Sequence, residues 1–428
     1  LRRTNGILKV HVAADRILGP ALGLVLGLGL AGRSAADNFS PTPPGLPAEA
    51  IDTWQFYVAD QETYDDNLFR VPPGTPGVPG AVIPNASQGD AVNAGTLGGQ
   101  GKWDIARQEL LLDVRADENR FKNNDALNYV SANGVATLDW RVGEYLSGQV
   151  ITYYDRNLAS FSETRFSGKD IVTSLEELGY ARYQIGPHWA AYGQIRGSYV
   201  DHSAESQKFD EFHNKAGYAG VEYATNVDDT FGFEYQYIDI TFRQDPLAVS
   251  AAFDYNEDTY KFIGKYSITD KTQLSGYAGY LRRTYSNAGI GSYAGDIWRL
   301  SGGWAVTDKT SVNVSVWHEL HAYVDAESNY FVAEGESIGP TWTATEKLSF
   351  TLLATYEKQN YINSSTSVVL TGTPREDNVD SEQLTVRYAP RDAWLVNVFL
   401  RHEKRASNQY EFSFGDNVAS ASVTYRFW

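Results

Sequence analysis

The chain has no cysteine and no methionine in 428 residues. Without cysteine it can form no disulfides, zinc–thiolate sites, iron–sulfur clusters or thiol nucleophile. The missing methionine has no physical account. Positive charge is also scarce, with 36 Lys and Arg against 53 Asp and Glu, a net charge of −17. That balance disfavours a nucleic-acid partner, because phosphate binding needs clustered bases. Past residue 30 no apolar run approaches the roughly 20 residues of a membrane helix. Mean hydropathy is −0.38. A disordered acidic chain would be poor in aromatics, yet Tyr, Phe and Trp make up 13 % here. The 38 glycines and 28 tyrosines suit β structure with one wet and one apolar face.

Residues 1–36 read as a secretory signal peptide. Arg2, Arg3, Lys9 and Arg16 precede an apolar stretch, Ile17 to Leu30, and Ser34-Ala35-Ala36 supplies the small residues of a cleavage site. Cleavage after Ala36 removes five bases and one acid and leaves a net charge of −21. Residues 37–52 are Pro-rich and read as a periplasmic lead-in. The remainder, 53–428, reads as one domain. Within it, 70–101 opens on Arg-Val-Pro-Pro-Gly-Thr-Pro-Gly-Val-Pro-Gly and reads as a loop able to constrict a lumen, with one weak strand.

From residue 104 a rhythm of alternating strands and tight polar turns runs to the end. The turns include Val142-Gly143-Glu144, Ile185-Gly186-Pro187, Asn226 to Asp229, Thr269-Asp270-Lys271, Thr307-Asp308-Lys309, Thr345-Glu346-Lys347 and Pro390-Arg391-Asp392. Longer connections at 159–169, 203–213, 243–253, 286–295, 324–330 and 362–380 separate them. Apolar residues recur at period two, as in Val312, Val314 and Val316 against Asn313, Ser315 and Glu319. Runs of a dozen residues exceed the usual soluble strand and match a tilted membrane strand of about 9–11 residues. Short turns at one end and long loops at the other predict an all-β, transmembrane antiparallel β-barrel. Eight hairpins are expected, from 104–121 with 128–141 to 393–412 with 418–428. Adding Thr53–Tyr64 and Asp90–Gly99 gives 18 strands, with 16 as the alternative. Ala419, Ala421, Val423, Tyr425 and Phe427 form an apolar series just short of Trp428. Such a C-terminal strand suits recognition by the barrel assembly machinery.

The run Tyr64-Asp65-Asp66-Asn67-Leu68-Phe69-Arg70 is followed by Ile105-Ala106-Arg107-Gln108, Arg120-Phe121, Asp125 to Tyr129 and Trp140-Arg141-Val142-Gly143. In this order the segments resemble the EpsL-like outer-membrane β-barrels of exopolysaccharide biosynthesis and export loci. The resemblance covers residues 54–145 by motif and the remainder by hairpin style. It implies a porin-type barrel of a Gram-negative outer membrane and a part in exopolysaccharide export.

The polar parity should face the lumen. Its acids are then Glu109, Asp113, Asp117, Asp139, Glu176, Glu222, Glu234, Glu319, Glu357 and Glu403. Its bases are Arg115, Arg141, Arg182, Arg196, Lys261, Lys265, Arg283, Arg299, Arg387, Arg401, Arg405 and Arg426. So even a balance suits neutral or mixed-charge solutes, since an anion-selective pore needs a surplus of bases. For any one of these residues the plainer reading is mutual pairing along the wall. Phe231, Phe233, Tyr183, Trp189, Tyr266, Trp304, Tyr388 and Tyr425 lie near the short turns on the other parity and read as an aromatic girdle. His318 and His321, three apart on a strand, face opposite sides and cannot share a metal. No Ser–His–acid set stands out. No catalytic residue, metal or cofactor is therefore expected. The expected partners are outer-membrane lipid and lipopolysaccharide, the assembly machinery, and polysaccharide or small polar solutes in the lumen. The reading is a polar-solute channel in exopolysaccharide export; a general diffusion porin, or a non-conducting receptor or scaffold, is the rival.

Overall fold

A strand that is apolar on one face and polar on the other cannot sit alone in lipid, where unpaired backbone groups cost several kcal/mol each. Closing the sheet on itself satisfies them. The computed structural model describes residues 54–162, 166–227, 229–243, 254–286, 291–323, 328–363 and 373–427. The expected signal peptide, the lead-in and Trp428 lie outside the described residues. The first nine strands are β1 (Trp54–Asp65), β2 (Asp90–Ile105), β3 (Gln108–Phe121), β4 (Tyr129–Val142), β5 (Leu146–Leu158), β6 (Ile171–Ile185), β7 (Trp189–His202), β8 (Phe212–Ala224) and β9 (Thr230–Phe242). The second nine are β10 (Tyr255–Thr269), β11 (Thr272–Tyr285), β12 (Tyr293–Thr307), β13 (Thr310–Ala322), β14 (Ser328–Thr345), β15 (Leu348–Asn363), β16 (Glu376–Arg391), β17 (Trp394–Ser407) and β18 (Phe414–Phe427). Each pairs antiparallel with its neighbours in sequence, and β1 closes the ring on β18, in an 18-stranded barrel. At the seam Phe56 faces Phe427 and Asp65 faces Val418. Among the described residues no helix is long and apolar enough to cross a membrane.

Two expected boundaries move. The wall reclaims 90–105 as β2, so the Pro/Gly-rich connection is 66–89, and the next strand starts at Gln108 rather than 104. The turn between them places Ala106 at φ 58°. Gly98 and Gly101 in β2 lack the alternation of their neighbours because rings lie over them. A Cβ on Gly98 would meet the Tyr57 ring at 2.1 Å, and one on Gly101 would meet Trp103 at 2.8 Å. At the other end of the chain β17 stops at Ser407, before a 3-10 turn at Tyr410–Phe412.

The near-identical turns have one cause. The backbone N–H groups of Lys271, Lys309 and Lys347 each donate to the threonine hydroxyl two residues back, all at 3.2 Å. That bond fixes the tight turn. Outside the short-turn end, Tyr183, Trp189, Phe233, Tyr266, Trp304, Tyr388 and Tyr425 are exposed, and Phe231 is half-buried. Ile195, Val221, Leu300, Leu352 and Val398 form the apolar waist above them.

Close strand packing makes a contrast between two outward glycines. A Cβ on Gly276 would sit 2.2 Å from the Arg299 carbonyl oxygen, whereas one on Gly197 meets nothing within 4 Å. Gly276→Ala should cost about 1–3 kcal/mol, the usual penalty of overpacking, and Gly197→Ala should be neutral. Urea unfolding of the refolded barrel in detergent, followed by gel mobility, checks this; equal midpoints for the two variants would contradict it.

Candidate functional site

The strand alternation puts every lumen candidate on the inner face. Cross-strand neighbours then decide what each can do. Near the short turns, Lys102 pairs with Glu109 at 2.6 Å, Glu109 faces Asp139 across the ladder, and Gln149 donates to Asp139 at 2.5 Å. Gln100 donates to Asp113 at 2.6 Å, and Arg115 reaches Asn133 at 3.1 Å. Across two strands Arg182 pairs with Glu222 at 2.9 Å, while the Tyr192 hydroxyl donates to Glu234 at 3.0 Å. Arg196 lies close enough to Glu176 for their charges to interact. Lys261 donates to Gln236 at 2.9 Å. Arg299 grips Glu319 with two bonds of 2.9 and 2.7 Å, Arg283 grips Glu257, and Trp317 donates to Glu357 at 2.9 Å. Arg401 bonds Asp416 at 3.0 Å and lies 3.8 Å from Glu403. Arg405, on the same face, lies 3.9 Å from Asp377. Arg141, Lys265, Arg387 and Arg426 have no ion pair among the described residues. The plainer expectation, mutual pairing, thus describes most of the inner charges.

The interior is wet along part of its short-turn end and packed toward the long loops. Toward the short turns Lys102, Glu109 and Glu222 keep about a third of their side-chain surface. Toward the long loops Lys261, Gln236 and Glu403 keep 1 %. A water-filled tube of uniform bore would leave them all wet, so protein occupies this half.

Among the described residues two insertions account for it. The first is the connection 66–89. Leu68, Phe69 and Val71 pack against Val92 and Phe121 of the wall and Leu127 of the β3–β4 loop, with Val78, Ile83 and Phe161 packed against them. Its anchor is the run that carries the family resemblance. Arg70, at φ 54°, pairs with Asp65 at 2.8 Å and Asp416 at 3.4 Å. Burial alone would lower the Arg70 pKa, but these two carboxylates outweigh it and raise it. The Asn67 side chain bonds the N–H and C=O of Val71 and the carbonyl of Gly415, and Asp66 caps Asn417. Farther along, Val82 N–H donates to Ser167 C=O, and Tyr410 donates to Pro73 C=O. The connection is therefore tied to β18 and the β17–β18 loop on one side and to the β5–β6 loop on the other. Asp90 fixes its return by accepting from the N–H groups of Asn123 and Asn124.

The second insertion is the long-loop end of the β13–β14 hairpin. The β12–β13 ladder stops at Trp298 opposite His318. Above it Leu320 and Tyr330 join the inner-face residues Tyr285 and Ile297 in one buried cluster. The Tyr330 ring lies 6.3 Å from Tyr285 and 5.5 Å from Tyr293. The hairpin therefore leans into the lumen. Beside it, Arg375 bonds Asp377 and lies over Tyr361 and Phe412 at 4.0 and 3.5 Å.

Sequence reasoning missed these anchors because most stand at strand ends or in loops, where alternation carries no information. The signal that could have found Asn67 and Arg70 was the distinctive 64–70 run itself. No group of three His, Asp or Glu residues could hold a metal among the described residues. His318 bonds Glu334 on the outer face, and His321 stacks on Phe331 within.

The model of the family described as "Putative beta-barrel porin 2" matches residues 265–427, from the short-turn end of β10 through β18. The fold is similar to that of a BenF-like porin from Pseudomonas fluorescens Pf-5, at 10 % identity and TM-score 0.50, covering 88 % of this chain and 100 % of that one. OpdK of Pseudomonas aeruginosa with vanillate is 12 % identical at TM-score 0.49, covering 88 % and 100 %. OccK5 (OpdH) of the same organism is 9 % identical at 0.48, covering 88 % and 99 %. No curated protein matches the chain. A closed, even-numbered barrel with an apolar waist, an aromatic girdle and a polar interior makes this chain a porin-type β-barrel, integral to the outer membrane.

Proposed function

We propose that the barrel is a narrow channel for polar solutes and that it takes part in exopolysaccharide export. The observation that supports the channel is the polar inner face, wet at the short-turn ends of β2, β3 and β8 and narrowed by the connection 66–89 toward the long loops. Barrels of this strand number enclose an aqueous lumen unless a loop fills it. In such proteins short turns face the periplasm and long loops the outside, so the wet vestibule opens to the periplasm and the constriction lies outward. That is the arrangement an export path needs, with a wide entry and a selective exit. The exopolysaccharide part rests on the 64–70 run and the segments that follow it. The narrowing speaks against a general diffusion porin. Lipopolysaccharide at the outer rim and the assembly machinery at the C-terminal strand complete the set of partners.

The rival with a specific observation behind it is a plugged scaffold, since Lys261, Gln236 and Glu403 are almost free of solvent. Single-channel recording in planar bilayers separates the two. Wild-type barrels should give small, steady currents blocked by added polysaccharide, and a gene knock-out should lose secretion. Replacing residues 72–85 by a short Gly/Ser linker keeps Arg70 and Asp90 and should raise conductance by about twofold or more. Unchanged conductance would show that the connection does not set the bore.

Arg70→Ala tests the anchor. It leaves Asp65 buried without its cation, while Asp416 keeps Arg401, and breaking a buried pair typically costs about 3–5 kcal/mol. The expected result is proteolytic nicking within 66–89 and noisier current, with the barrel intact on a gel; resistance equal to wild type would contradict it.

A further inference from the structure

Most inner arginines have a carboxylate, as Arg182 has Glu222, Arg283 has Glu257, Arg299 has Glu319 and Arg401 has Asp416. Arg387 and Arg426 do not. Neither forms an ion pair or a side-chain hydrogen bond among the described residues, and the two point into the lumen from β16 and β18, on either side of β17. Between them the wall is polar and unsatisfied. Arg387 faces Asn397 across the β16–β17 ladder, and Asn397 faces Ser422. Thr424 is the next inward residue of β18, and Arg426 the one after. Asn397 is 6 % exposed and Thr424 2 %. Both amide atoms of Asn397, the Thr424 hydroxyl and the Arg426 Nε are buried without a hydrogen-bond partner.

Every part of this patch asks for the same complement. Two like charges on one wall repel, and an anion between them turns that repulsion into attraction. Guanidinium groups bind oxyanions by paired, charge-assisted bonds. The Asn397 amide nitrogen and the Thr424 hydroxyl are donors that lack an acceptor, and a buried donor left unpaired costs about 1–3 kcal/mol. The Asn397 carbonyl oxygen lacks a donor, which a hydroxyl beside the oxyanion would supply. Chloride, nitrate and sulfate offer no such hydroxyl, and neutral sugars offer no charge.

We propose that Arg387, Arg426, Asn397 and Thr424 form a lumenal binding site for a hydroxy-acid solute of the sugar-acid type, held by its carboxylate between the two arginines. The proposal rests on the reading of the barrel as a channel and adds its solute class. It also amends the argument from charge totals. Acids and bases nearly cancel as a count, but pairing removes most of them and leaves this sector of the wall positive.

Equilibrium dialysis of the full barrel in detergent micelles tests the site without requiring current. Labelled D-glucuronate is the probe, with D-glucose and sulfate as competitors. Wild type should bind glucuronate, sulfate should compete weakly and glucose should not compete. Arg387→Gln with Arg426→Gln should weaken binding by about tenfold or more, the scale of one lost charge-assisted interaction. Lys404→Gln, which removes an outward base on β17, should leave it unchanged. Arg387→Lys with Arg426→Lys keeps the charge but loses the fork, and should fall between. It also serves if the glutamine pair fails to refold, which gel mobility shows. Binding unaffected by either double variant, or glucose competing as well as glucuronate, would overturn the site. Sulfate binding as tightly as glucuronate would overturn the sugar-acid assignment. Bilayer recordings on the same sample keep the two readings apart. Binding without current would defeat the channel, and current without glucuronate binding would defeat the site.

Discussion

The pairing of β1 with β18 is the constraint on which the rest depends. Until the first and last strands meet, two edges of unpaired backbone groups face lipid, and no spanning sheet tolerates them. The ladder runs from Phe56 opposite Phe427 to Asp65 opposite Val418. At its long-loop end the seam becomes an ion cluster. Asp65 closes β1, Asp416 opens β18, and Arg70 from the connection 66–89 sits between them. The residues that lock the ring are therefore also the ones that fold the connection inward. Closure and constriction share one arginine.

That coupling explains the division of the interior. A barrel of this size has more lumen than its own inward side chains can fill. Among the described residues two pieces of chain fill the outer half, 66–89 from one side and the β13–β14 hairpin from the other. Lys261 and Glu257 are buried there among aromatic and aliphatic side chains. Such charges persist in a dry setting only when paired or hydrogen-bonded. The Arg283–Glu257 and Arg299–Glu319 pairs meet that requirement. The inner half, where no described segment is inserted, stays wet along β2, β3 and β8 and is drier along β17 and β18, where Asn397 and Thr424 are buried.

Much of this was legible in the sequence. Alternation in the long strands fixed which residues face inward, because a one-residue slip would move a whole strand's apolar set to the wrong side. The repeated Thr-Asp-Lys turns marked the hairpins because one threonine hydroxyl does the same work in each. β2 was harder to read. Its glycines break the period, and their reason lies on neighbouring side chains such as Tyr57, which no local pattern reveals. The lean of β13–β14 was invisible for a related cause: Leu320 and Tyr330 keep an outward parity but find apolar partners on the far side of the wall. Charge totals are legible in the sequence, but pairing is not. Whether a base counts toward selectivity depends on whether a carboxylate stands across the ladder from it.

Because the chain has no cysteine of its own, the division of the interior can be tested one position at a time. Single cysteines at Glu222, Gln236 and Val221 sample the wet vestibule, the packed half and the lipid-facing wall. In barrels reconstituted with the short-turn end open to a membrane-impermeant thiol reagent, the cysteine at 222 should react quickly, and those at 236 and 221 slowly. Equal, rapid reaction at 222 and 236 would mean a uniformly open tube and would contradict the account.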